Sequence, residues 1–155
     1  MFASIAPNIE VLAETTNMDT VVLSTTEILS VSLDVVEDEI KNGNFEEAKQ
    51  LTKENSEFFS LQVLTLRESN SEITDEIHIL LLDMHNEIEA GNESLVLDNI
   101  ATIKNLLKQY EINSPDYGMA SAMILTIVDE QYQIANKNGE DYRYEVAEKL
   151  LDRVT

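Results

Sequence analysis

Apolar residues recur at three-to-four spacing along most of this chain, which is the period of an α-helix rather than of a strand. From about Asp19 to Asn42 the stripe is Val22, Leu29, Leu33, Val36 and Ile40, and Val21, Ile28 and Val35 widen it. The β-branched content is high here, but Ser, Thr, Asp and Glu do not alternate with it, so a strand is excluded. A second stripe of Ala48, Leu51, Phe58, Phe59, Leu61, Leu64 and Leu66 runs to about Glu68, and Asn55 falls on its apolar face as a buried polar group in need of a partner. Ser69-Asn70-Ser71 reads as the connection to a third helix, about Glu72 to Ala90, with Ile73, Ile77, Leu80, Leu81, Met84 and Ile88. Ile79 and Leu82 make the middle of this helix apolar nearly all round, which predicts the most central place in the fold.

Val96, Ile100, Ile103, Leu107 and Tyr110 form a fourth stripe, with Lys104 and Lys108 near its C-terminal end, where cations suit the helix dipole. In Asn113-Ser114-Pro115-Asp116, Ser114 reads as an N-cap, Pro115 as the first helical position and Asp116 as a first-turn acid. The fifth helix then carries Ala120, Ile124, Ile127 and Ala135, and a short sixth carries Val146, Ala147, Leu150, Leu151 and Val154. Gly43, Gly91 and Gly139 stand 48 residues apart and mark helix stops. Asn44 with Glu47 reads as a capping box that starts the next helix at once.

The expected fold class is therefore all-α: an up-and-down antiparallel helical bundle of four long helices plus a C-terminal helical hairpin, six helices in three helix-turn-helix units. Residues 1–18, small and polar without a clear period, are expected as a flexible arm, and 19–155 as one helical domain. At 155 residues with 43% hydrophobic content the chain has enough apolar surface for one core.

Thirty acidic against ten basic residues give a formal net charge of −20, which argues against nucleic acid and anionic membrane surfaces as partners. Cations and basic proteins remain compatible. With no cysteine there is neither a disulfide framework nor a thiolate site. No span of 18 apolar residues occurs, so no direct membrane insertion of this chain is expected.

The chemistry-bearing residues are few. His78 and His85 lie near one face of the third helix with Asp75, Asp83, Glu87 and Glu89 around them. A di-metal carboxylate bundle needs paired Glu-x-x-His motifs, and only Asp75-x-x-His78 approximates one half. A single cation on His85 and Glu87 or a neighbouring carboxylate is the simpler alternative to surface or structural histidines. Glu37, Asp38 and Glu39 end one helix where Glu46 and Glu47 begin the next, close enough for weak Ca²⁺ or Fe²⁺ contact. The stronger reading is that Glu46 and Glu47 are ordinary first-turn carboxylates that complement the helix dipole. Met119, Met123 and Met84 could offer thioethers to copper but fit core filling better. No phosphate loop, nucleophile elbow, zincin or EF-hand pattern is present, and no arrangement visible in the sequence places a histidine base beside a Ser or Thr, so an enzyme is not expected.

Three stretches, EIKNGNFEEAKQLTKENSEFF followed by LRE, then LLLDMHNEIEAG, and ILTIVDEQYQIANKNGEDYRYEVAEKLL, together resemble the extracytoplasmic helical domain attached to high-affinity, oxidase-coupled iron permeases. The matching positions are Gly43, Phe45, Glu47, Ala48, Glu54, Gly91, Glu130, Tyr132, Gly139, Tyr144 and Ala147. The permease's R-E-G-L-E element and the G-x-H-x-x-E motif of related periplasmic lipoproteins have no counterpart, so transport itself is not implied. The resemblance implies a domain outside the membrane that gathers or hands on Fe or another divalent cation, partnered with a membrane permease. The candidate metal ligands are then His78, His85, Asp83, Glu87 and Glu54. The alternative is a structural or protein-interaction bundle whose acidic surface meets a basic protein, or which self-associates as a homodimer, with no metal role.

Overall fold

A computed structural model describes residues 17–155. Residues 1–16, most of the expected N-terminal arm, lie outside the described residues. Asn17 and Met18 belong to the first helix: Asn17 is its N-cap, accepting from the Thr20 backbone N–H, and Met18 is its first residue.

The described chain is all-helical, with five helices: α1 (Met18–Lys41), α2 (Phe45–Glu89), α3 (Glu93–Leu107), α4 (Tyr117–Asn138) and α5 (Tyr142–Val154). The expected count of six becomes five because the second and third expected helices form the single element α2. Their connection shrinks to one non-helical residue, Asn70, at φ −160° and ψ 101°. Its side-chain oxygen accepts from the Ile73 N–H at 3.0 Å and its carbonyl accepts from the Thr74 hydroxyl at 2.7 Å, so Asn70 caps the second half of α2 as an N-cap would. The two halves lie side by side: Ser60 meets His78, Arg67 pairs with Asp75, and Lys49 reaches Glu89 at 3.4 Å.

The central helix is α1, not the Glu72–Ala90 segment. Fifteen of the 24 residues of α1 are buried, on nearly every side. It bonds to each of the others: Ser32 to Asn55 of α2, Asp34 to Lys104 of α3, Ser24 to the Met123 sulfur of α4, and Asp38 and Glu27 to Lys149 and Arg153 of α5. Ile79 and Leu82, by contrast, are 60% and 53% exposed, and Leu61 and Leu64 of the first half are exposed as well. One apolar cluster draws on all five helices, with Phe58, Phe59, Leu33 and Ile77 among its largest members.

Gly43, Gly91 and Gly139 all take positive φ, as helix-stopping glycines do (78°, 74° and 69°). The predicted caps after them differ in detail. The Asn44 side chain makes no cap and instead donates to Glu39 at 2.9 Å. Helix α4 starts two residues later than expected: Asp116, not Ser114, is the N-cap, accepting from the Met119 N–H at 3.0 Å. The Asn113-Ser114 turn is tied back to α1 instead, both backbone N–H groups donating to Asp19. No helix among the described residues is long and apolar enough to cross a membrane.

Candidate functional site

The candidate ligands are placed in three separate settings. Glu54 is fully buried and is consumed by Arg143, itself 1% exposed, through two bonds of 2.8 and 2.9 Å from the guanidinium to the two carboxylate oxygens. Gln50 donates to the same carboxylate, and Arg143 also donates to Gln131 at 3.1 Å and Glu140 at 3.2 Å. A buried bidentate pair with these further polar partners is an interhelical clamp, joining α2, α4 and α5. Burial opposes the charge on Arg143, but the Glu54 hydrogen bonds and charge outweigh it and hold its pKa above the ordinary value. Burial also opposes ionisation of Glu140, yet hydrogen bonds from Tyr142 and Asn138 and the nearby Arg143 hold its carboxyl below the usual range.

Glu87 accepts from Asn99 of α3, and Asp83 is exposed on the outer side of α2. His78 and His85 are half-buried between the halves of α2, and His85 lines a groove there with Thr52, Lys53, Glu57 and Leu82. Among the described residues no three His, Asp or Glu side chains lie together in an arrangement that could hold a metal ion. No three of the five candidates are therefore gathered around one point among the described residues. Met84 and Met123 are fully buried in the core.

One pairing runs against the sequence expectation that no Ser stands beside a histidine. Ser60 Oγ lies 3.3 Å from His78 Nε2. Ser60 also donates its single proton to the Ser56 carbonyl at 2.9 Å, so in that arrangement it accepts from the imidazole and His78 is the donor. A nucleophile needs the opposite polarity, plus backbone N–H groups aimed at an oxyanion. Both residues sit inside helical segments whose backbone N–H groups are committed to the helix.

Two surface features remain. At the end of the molecule holding Gly43 and Gly139, a cleft of about 510 Å³ is lined by Glu39, Glu46, Glu47, Glu140 and Asp141, with no Lys or Arg. It attracts cations in general, but its members stay too dispersed for a coordination site. The second is the outer face of α2. Four of the eight large apolar side chains exposed among the described residues are there: Leu61 (43%), Leu64 (76%), Ile79 (60%) and Leu82 (53%). Of these, Leu82 lines the groove of about 320 Å³ that the seam between the two halves holds at its Lys53–Asn86 end, and the Arg67–Asp75 pair closes the other end.

Sequence reading missed Arg143 and Gln131, although both left a signal. Arg143 stands three and four residues before Val146 and Ala147, on the apolar stripe of α5, and Gln131 fills the gap in the Ala120, Ile124, Ile127, Ala135 series. A cation and an amide on core stripes require a buried partner, and Glu54, three residues after Leu51, is that partner. The chain matches no protein-family model, no curated protein and no solved structure.

Proposed function

We propose that this chain is a non-enzymatic protein-interaction bundle and that its docking surface is the outer face of α2, which receives a helix of a partner protein. The observation that carries the reading is the set of Leu61, Leu64, Ile79 and Leu82, 43–76% exposed on the outer side of α2 in a protein whose surface is otherwise dominated by carboxylates. Contiguous apolar surface rimmed by polar residues is the mark of an interaction site. The seam between two helices running side by side has the shape a third helix fills, by ridges into grooves. From Lys53 to Arg67 it runs about 21 Å at the helical rise per residue, room for roughly four turns of a partner.

The reading is tested with a labelled synthetic peptide of about 14 residues, amphipathic and helical, with leucine on one face and uncharged glutamine on the other. Binding followed by fluorescence anisotropy should saturate, and Leu61→Ser/Leu82→Ser should weaken it at least about tenfold, since each leucine loses on the order of 1 kcal/mol of burial. Because both residues are exposed, the variant should keep its far-UV circular dichroism and melting temperature. Equal binding by the variant would show that the partner face lies elsewhere.

Metal handling, the function implied by the iron-permease resemblance, takes second place. The acidic cleft beside Gly43 and Gly139 speaks for it, but Glu54 is committed to Arg143 and the histidines lie apart from that cleft.

A further inference from the structure

We propose that the helix received by the α2 face is basic along both edges of its apolar stripe. This rests on the docking reading above and adds the partner's charge. Glu57 and Glu68 continue the helical face of Leu61 and Leu64, at four-residue steps before and after them, and Glu72 and Asp83 border Ile79 and Leu82 on the far side. None of these four carboxylates has an ion-pair partner among the described residues. The cations on the same face are Lys53, at the groove end, and Arg67, which Asp75 neutralises. On both halves of α2, then, unpaired carboxylates stand beside the exposed apolar residues, in line with them on the first half and bordering them on the second, and the complement is an amphipathic helix with Lys or Arg on either side of its apolar residues.

Two other occupants fit less well. A second copy would set these acidic flanks against its own, with each chain at −20. An anionic bilayer would repel the same carboxylates.

The test compares three labelled peptides of about 14 residues with the same leucine face, and lysine, glutamine or glutamate elsewhere. At about 50 mM salt the lysine peptide should bind at least about tenfold more tightly than the glutamine peptide, and the glutamate peptide more weakly than both. At about 0.5 M salt the first difference should shrink to within about threefold. Glu72→Gln/Asp83→Asn should weaken the lysine peptide by about threefold or more and leave the glutamine peptide unchanged. Equal affinity for the lysine and glutamine peptides, both lost in Leu61→Ser/Leu82→Ser, would keep the docking face and overturn its basic partner. Lysine-peptide binding that ignores Leu61→Ser/Leu82→Ser would be bulk charge attraction and would also overturn it. If no peptide binds, the docking reading itself fails. If the protein sediments as a dimer that the leucine substitutions dissociate, the occupant is a second copy and the inference is wrong.

Discussion

Replacing Arg143 by methionine should be among the most damaging single changes on a polar residue in this protein. The side chain is 1% exposed and spends its donors on Glu54, Gln131 and Glu140. Methionine fills much of the volume but donates nothing, leaving the Glu54 carboxylate fully buried with only Gln50 donating to it. Breaking one side of such a pair costs about 3–5 kcal/mol, because the abandoned charge carries the desolvation penalty uncompensated. At about 2–4 °C per kcal/mol for a chain this size, the melting temperature should fall by roughly 6–20 °C. Removing both charges is different: Glu54→Leu added to Arg143→Met takes away the orphan as well and should recover at least about 2 kcal/mol. Urea unfolding followed at 222 nm for the wild type, both single variants and the double variant gives the coupling energy directly. A loss below about 1 kcal/mol in Arg143→Met, or singles that simply add in the double, would refute the clamp.

Three further outcomes are expected. Burial, a hydrogen bond to Asp38 and the charge of Asp38 push the Glu145 carboxyl up to about 7, while its hydrogen bond holds Asp38 low. The folded protein thus holds a proton on Glu145 that the unfolded chain has released, so stability should fall as pH rises from the ordinary carboxylate range through about 7. In Glu145→Gln that part of the slope should vanish from a pH series of urea midpoints, and an unchanged slope would assign it to other groups. Asn70→Ala removes the cap between the halves of α2 and should cost about 1 kcal/mol by urea unfolding, whereas no loss would mean that packing alone sets the reversal. Millimolar Ca²⁺ or Fe²⁺ should move the melting temperature by less than about 1 °C, because dispersed carboxylates bind weakly. A larger shift that Glu46→Gln/Glu47→Gln abolishes would instead favour the metal reading.

Much of the fold was legible because helix period and glycine stops are local signals. The three glycines at 48-residue spacing each take the left-handed conformation, and the wide stripe of α1 is the mark of a helix surrounded by others. Asn55, on the apolar face of its stripe, is buried and accepts from Ser32 at 2.7 Å, though its amide nitrogen finds no partner among the described residues. The central position was misassigned because an all-round apolar segment has two causes. Ile79 and Leu82 look alike in sequence whether they face a core or stand exposed, and only the packing of α1 distinguishes the cases. Capping shifted where other contacts intervened: the Asn44 side chain meets Glu39, and Asp19 accepts from the Ser114 backbone N–H, with α4 starting after Asp116 instead. The candidate metal set dispersed for a related reason, since Glu54 was assessed without the arginine 89 residues away that claims it.

The buried hydroxyls of α1 have a consequence for synthesis. This helix precedes the other four in the chain, yet it is the one they all pack around, so during translation it waits longest for its cover. A stripe of Val, Ile and Leu alone would invite aggregation in that interval. Thr20, Ser24, Thr25, Thr26 and Ser32 interrupt it, all buried in the finished fold. Ser24 and Thr26 donate back to the carbonyls of Val21 and Leu23, so these two hydroxyls have a partner before any other helix arrives and keep it after burial. Those two polar groups therefore sit in a helix the core surrounds without needing water, whereas the Thr25 hydroxyl is buried with no partner among the described residues.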